Sequence, residues 1–193
     1  ILFIQPELCI GGVERVLLTL ISSLDKDIYE ITLVLRNPSE WDNEVPDWVT
    51  IRYLFQSNPR KTYPLRYKLF KYSTIFAPST FLRQFFMFGK FDISICFHEP
   101  LIFLLNAVSG KKVAWIHGDY SKIEFPPEVS ELRKKNGMLA KAIKLRRNLL
   151  HKRCCKIVCV SDGAMNGFQK KYPEAFQKVI RLYNPQDELK IST

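Results

Sequence analysis

Histidine is scarce in this chain, and metal-type spacing is missing. Only three histidines and five cysteines stand among 193 residues. No two cysteines have C-x-x-C spacing, and no two histidines stand as a zinc-ligand pair. That removes the ordinary structural zinc arrangements. The cysteine count is odd and includes the adjacent Cys154 and Cys155. Cys96 and Cys159 lie inside strand-like apolar runs, which predicts reduced core thiols and a reducing, cytoplasmic setting. No run reaches the roughly 18 apolar residues that span a bilayer. No signal-peptide pattern is visible. The chain opens on Ile1 rather than Met, and its natural start is expected slightly upstream. Internal repeats and low-complexity linkers are absent, as are the RRM, KH, OB and zinc-finger patterns of nucleic-acid binders.

Acidic residues are also short. Nineteen Asp and Glu face 29 Lys and Arg, a formal net charge of +10. Such a balance favours an anionic partner: nucleic acid, a phosphosugar or an anionic membrane surface. The alternative is that the cations only solvate helix faces. Hydrophobic content of 47 % suffices for a substantial core, and the length fits one domain.

Apolar runs alternate with helical stretches. Ile1–Ile4, Tyr29–Arg36, Val49–Leu54, Phe91–Phe97, Lys111–His117, Cys155–Val160 and Val179–Tyr183 read as strands, several of them apolar almost throughout. Helices are expected near 64–76, 79–88, 100–109, 128–151 and 162–171. Ser79 is expected to cap the helix after Pro78, Ser161 the helix near Asp162, and Gly137 to kink the long basic helix. This alternation predicts an α/β fold: a doubly wound, mostly parallel, Rossmann-like sheet flanked by helices.

The opening segment is the most informative. After the first strand come Gly11 and Gly12, and then Val13, Val16, Leu17, Leu20, Ile21 and Leu24 recur at helical period. Glycine permits a sharp turn and close approach of a ligand. The first-turn amides of the helix lack partners, which suits an anion such as a phosphate. A plain strand-to-helix turn without a ligand would read the same way. In doubly wound sheets ligands sit at the carboxyl ends of the strands. That rule selects Gly11 and Gly12, His98 and Glu99, His117 to Asp119, Ser161 and Asp162, and Asn184.

Four features occur in order: the Gly11-Gly12-Val13-Glu14 turn, the strand ending in His117-Gly118-Asp119, the Ile157–Ser161 strand-to-helix step, and the closing Leu182–Asp187 segment. Together they resemble the N-terminal, acceptor-side domain of a family-4 glycosyltransferase of GT-B architecture. No GxGxxG fingerprint occupies the first turn, so a dinucleotide-binding reading fits less well. The resemblance implies a retaining, metal-independent transferase that takes a nucleotide sugar as co-substrate and no cofactor. It implies that donor binding resides mainly in a C-terminal domain carrying two glutamates separated by seven residues, a spacing found for no glutamate pair here. Residues 1–185 are then the acceptor domain and 186–193 the start of the crossover, and transfer by this half alone is expected to be negligible.

The same resemblance assigns roles. His117 becomes the catalytic candidate, contacting the reacting sugar or steadying transition-state charge. Gly11 and Gly12 face the donor diphosphate. Glu14, His98, Glu99, Gly118 and Asp119 become acceptor-binding candidates. Glu14 equally suits the helix first turn, where a carboxylate favours the dipole; Glu99 before Pro100 suits a helix start; and Asp119 either orients His117 or is a loop residue. Asn184 and Asp187 fall at the hinge.

Arg60, Lys61, Arg66, Lys68 and Lys71 are interleaved with aromatic residues and followed by Phe76, Phe81, Phe85, Phe86 and Phe88. A second basic stretch runs from Lys134 to Arg153. Such a face suits the edge of an anionic bilayer and a lipid-linked or glycan acceptor, with the protein peripheral at the inner membrane face. A solvated helix surface over an aromatic core is the alternative. Two readings of function follow: the acceptor half of a glycosyltransferase in cell-surface glycan synthesis, or a non-catalytic basic module docking on anionic membranes or glycans.

Overall fold

The computed structural model describes residues 1–120 and 137–185. Within them seven strands form one sheet: β1 (Leu2–Gln5), β2 (Thr32–Leu35), β3 (Thr50–Tyr53), β4 (Ile93–Cys96), β5 (Lys111–Ile116), β6 (Lys156–Cys159) and β7 (Val179–Arg181). They lie in the order β3-β2-β1-β4-β5-β6-β7, and every neighbouring pair is parallel. The described helices are α1 (Gly12–Ser22), α2 (Pro59–Thr62), α3 (Pro64–Phe76), α4 (Ser79–Phe86), α5 (Gly137–Arg153) and α6 (Asp162–Lys171). The expected doubly wound α/β sheet is therefore present.

Successive side chains of a strand point to opposite faces, and β1 shows this directly. Leu2 and Ile4 join one core with Cys96, Ala114, Ile116 and Ile157, covered by Ile75 of α3, Leu82 of α4, Ile143 of α5 and Phe168 of α6. Phe3 joins the other with Leu33, Leu35 and Val158, covered by Val16, Leu17 and Ile21 of α1. Each buried Val, Leu, Ile or Phe among these stabilises the fold by about 1.5–3 kcal/mol relative to exposure. The chain thus changes face between β3 and β4. It leaves β1 and β4 side by side, Ile4 opposite Cys96, with their following loops diverging. That divergence is the topological switch point, where α/β sheets open a crevice.

Local expectations are corrected at two places. Pro78 is itself the N-cap of α4 and Ser79 the first helical residue, with no side-chain cap bond; the fixed φ of proline sets the start. The segment expected as a helix over 100–109 is a 3-10 helix, Glu99–Asn106. Its Leu101–Leu105 stretch is buried throughout, so it has no polar face around which to form a surface α-helix. Gly137 is the first described residue of α5; residues 128–136, with Lys134 and Lys135, and with them the expected kink, lie outside the described residues. The Ser161 cap forms as expected, its Oγ accepting from the Ala164 amide at 3.1 Å. Cys96, Cys154 and Cys159 are buried free thiols. No described helix is long and apolar enough to cross a membrane.

Candidate functional site

The loop after β1 leads into α1 with Gly11 at the N-cap and no side-chain cap. Its first-turn amides are therefore left to solvent or a ligand. Gly11 has φ −165°, ordinary extended backbone that any residue adopts. Clearance explains Gly11 better: a Cβ there would stand 2.4 Å from Glu14 Oε2. A Cβ at Gly12 would meet nothing within 4 Å, and Gly12 is exposed at the rim.

Glu14 is buried and turned beneath this loop. Its Oε1 accepts from Gln5 Nε2 at 3.0 Å. Burial raises the pKa of the neighbouring Cys9 thiol, and the Glu14 carboxylate beside it adds to the rise. The side chain thus occupies the first-turn position that favours an acid near the helix dipole.

His98 follows β4. Burial lowers its pKa, and the Glu14 carboxylate partly restores it. Glu99 opens the 3-10 helix, and its carboxyl is raised by burial against the opposing pull of Arg147. One oxygen, Oε1, has no hydrogen-bond partner and lies 3.8 Å from the Arg147 guanidinium. His117 follows β5. Its Nε2 lies 2.9 Å from the Phe97 carbonyl, and its ring packs 4.9 Å from that of Phe97. Burial brings its pKa down to about 4, with His98 adding to the fall and the Phe97 bond opposing it. Gly118 and Asp119 continue the same loop, half-buried.

The parallel sheet therefore gathers the first-turn amides of α1, Glu14, His98, Glu99 and His117 along one edge. Glu14 acts electrostatically on His98, and His98 on His117. Ser161 and Asp162 follow β6, the strand next to β5, and there Asp162 is taken up by Arg181 and Tyr183. Asn184 is exposed, and Asp187 lies outside the described residues. Among the described residues no group of three or more His, Cys, Asp or Glu could hold a metal ion.

The basic set divides. Lys61, Arg66 and Lys68 are exposed on α2 and α3, whereas Arg60 and Lys71 border a cavity of about 360 Å³ that also reaches His98 and Glu99. The aromatic set divides likewise. Phe81 and Phe85 are exposed, 51 % and 68 %, but Phe88 is buried, and Phe76 and Phe86 are half-buried against the core. Leu65, Leu69 and Met87 are exposed apolar residues that composition did not single out.

Several polar residues of the rim escaped notice in the sequence. Arg36 and Asn37 end the β2 run, and Arg36 pairs with Glu7 at 3.0 Å. A polar residue closing an apolar run was the signal available. Tyr120 and Arg147, which line the cavity, come from distant segments and carry no local motif.

A seven-stranded parallel Rossmann-like sheet with its candidate residues at the switch point is the architecture of a GT-B glycosyltransferase domain. The chain belongs to Glycosyltransferase Family 4, whose family model matches residues 10–188. No curated protein matches it. Among solved structures, the lipopolysaccharide outer core galactosyltransferase WaaB in apo form is similar at 14 % identity and TM-score 0.57. That match covers 96 % of this chain and 46 % of WaaB. HepE of Anabaena, in complex with UDP and glucose, is similar at 14 % identity and TM-score 0.53, covering 96 % and 44 %. Apo UGT2 of Phytolacca americana is similar at 13 % identity and TM-score 0.51, covering 99 % and 53 %. The chain thus spans about half the length of each of these proteins.

Proposed function

We propose that this chain is the acceptor-binding half of a retaining, nucleotide-sugar-dependent glycosyltransferase that builds a cell-surface glycan. Residues 1–185 form the acceptor domain in this reading, and transfer without a donor-binding domain is negligible; 186–193, assigned to the crossover, lie outside the described residues. The observation that carries the reading is the convergence of an uncapped helix N-terminus with His98 and His117 at the switch point. Unpaired amides there offset charge on a leaving diphosphate. A UDP-bound relative of the same fold and a lipopolysaccharide galactosyltransferase lend it support.

In the reaction, the acceptor hydroxyl attacks the anomeric carbon on the face the diphosphate leaves, through an oxocarbenium-like state. The new C–O bond forms as the bond to phosphate breaks, and the leaving phosphate oxygen takes the hydroxyl proton. His117, neutral, positions a sugar hydroxyl through Nδ1. His98 and Glu99 face the acceptor, with Gly118 and Asp119 shaping the adjoining loop. A hexosyl donor such as a UDP-hexose fits this reading, and no resident cofactor or metal is assigned to it. Full-length protein, screened against nucleotide sugars with a lipid-linked acceptor by mass spectrometry, tests it. A sugar-mass addition is expected, and no addition with any donor rejects the reading.

The exposed Leu65, Leu69, Phe81 and Phe85, flanked by Arg66 and Lys68, favour peripheral docking at the inner face of an anionic membrane. Cytoplasmic location follows from that reading. Flotation with anionic liposomes should exceed that with neutral ones and fall with salt. Equal recovery from both removes the membrane from the proposal.

A further inference from the structure

The cavity beside Glu99 is unlike a pocket built for a free sugar. Phe70 and Ile75 of α3, Leu101 and Leu104 of the 3-10 helix, and Ile143 of α5 form its apolar walls. Apolar atoms make up most of its surface, which favours a guest with an apolar body. Its volume of about 360 Å³ falls within the range of small-molecule sites. Polar groups line it as well: Arg60 and Lys71 from α2 and α3, Arg147 and Lys171 from α5 and α6, and His98 and Glu99. Arg147 is nearly buried, its guanidinium 5.9 Å from the Phe103 ring centre and 3.8 Å from Glu99. Glu99 Oε1 is unbonded, and the terminal torsion of a glutamate is soft enough to turn that oxygen toward a guest hydroxyl. The Tyr120 hydroxyl, on a side chain 2 % exposed, also lines the cavity without a partner. His98 marks where the cavity meets the strand-end rim.

A monosaccharide presents hydroxyls on every side, and these walls would leave most of them unbonded at a cost. A hydrocarbon or aromatic body would instead lose its hydration against the walls. Its hydroxylated head would then lie at Glu99 and His98, beside His117. Resting on the transferase reading above, we propose that this cavity seats the apolar body of the acceptor, which is therefore an amphiphile rather than a free sugar.

The test is titration of full-length protein with n-octyl β-glucoside below its micelle concentration, with phenyl β-glucoside, and with glucose. Calorimetry gives the affinities, and the Ile143 and Leu104 methyl resonances report the location. The expected result is that at least one amphiphile binds tenfold or more tighter than glucose, shifting both methyl resonances. Octyl against phenyl separates a chain-like from an aromatic body. Ile143→Trp, which fills the cavity, should weaken that binding at least tenfold; Leu104→Phe serves if the first variant does not fold. Ile28→Ser, an exposed residue after α1 with no part in either surface, should leave affinity unchanged. Glucose binding as tightly as either amphiphile overturns the inference, as do unmoved methyl resonances or affinity lost in Ile28→Ser but kept in the cavity variants. Transfer to a wholly polar acceptor with the cavity silent defeats this inference and spares the transferase. Cavity binding without transfer from any donor does the reverse.

Discussion

His117 Nε2 stands 2.9 Å from the Phe97 carbonyl oxygen, and that contact decides the tautomer. A carbonyl only accepts, so Nε2 carries the proton and Nδ1 keeps its lone pair. With the pKa brought down to about 4, mainly by burial, the ring is neutral at pH 7. It serves as a fixed hydrogen-bond acceptor rather than as a positive charge.

Nitrogen-15 NMR of the histidine rings should therefore show the Nε2-protonated form of His117 down to about pH 5. A ring that titrates near 6.5 would falsify the assignment. In full-length protein His117→Ala should lower turnover about a hundredfold, in the range for loss of one preorganised transition-state contact. Unfolding midpoints should move little by comparison, and undiminished turnover rejects the role.

His151 sits in the core with both ring nitrogens unbonded, its centroid 5.1 Å from Phe168 and 4.7 Å from Tyr172. Burial, with Arg147 and Lys171 adding to it, brings its pKa down to about 3. Its folded value lies below the unfolded one, so the unfolded chain takes up the proton first as pH falls. The stability is complete above about pH 6.5 and is lost progressively toward pH 3. His117 adds to the loss down to about pH 4, while the raised Glu99 carboxyl works the other way. Comparison with His151→Leu cancels Glu99. That variant should match or exceed wild-type stability at pH 7, by up to about 1 kcal/mol, and lose less of it between pH 7 and 5. Identical pH profiles in urea melts refute this.

Much of the fold was legible because burial on both faces writes strands as continuous apolar runs. All seven runs became strands, trimmed at the ends where pairing stops. The Ser161 cap and α3 were equally plain, since a cap residue and a proline at the first helical position mark local starts. The 3-10 segment was not, because an all-apolar stretch has no period to read. The site was legible where topology alone places residues, at the ends of β1, β4 and β5. Tyr120 and Arg147 meet Glu99 only through packing of distant elements, which no spacing records. Exposure is equally unwritten in spacing: Phe81 and Phe88 look alike in composition, yet one faces solvent and the other the core.

Gly110 supplies a different test, of the turn into β5. Its φ is +71°, and a Cβ there would stand 2.0 Å from the Phe91 carbonyl oxygen. The conformation and the contact with fixed backbone both exclude a side chain. Gly110→Ala should cost at least about 2 kcal/mol of stability, as strained positive-φ positions do. A loss below half of that in denaturant melts would show that the turn relaxes freely.

At Gly11 the obstacle is a movable side chain, so the outcome differs. A Cβ there would meet Glu14 Oε2 at 2.4 Å and push the carboxylate away from Gln5 Nε2, its partner at 3.0 Å. Gln5 is fully buried, and its Oε1 already lacks a partner. Displacing Glu14 leaves the amide wholly unbonded, at about 1–3 kcal/mol. Gly11→Ala should therefore be destabilising alone. In a Glu14→Ala background, where no carboxylate remains to be displaced, the same substitution should cost only the lesser fitness of alanine as an N-cap. A double-mutant cycle reads the difference as a coupling of about 1 kcal/mol or more. Additive costs would mean that Gly11 is required for some reason other than clearance over Glu14, with close approach of a ligand to the bare backbone the first alternative to measure.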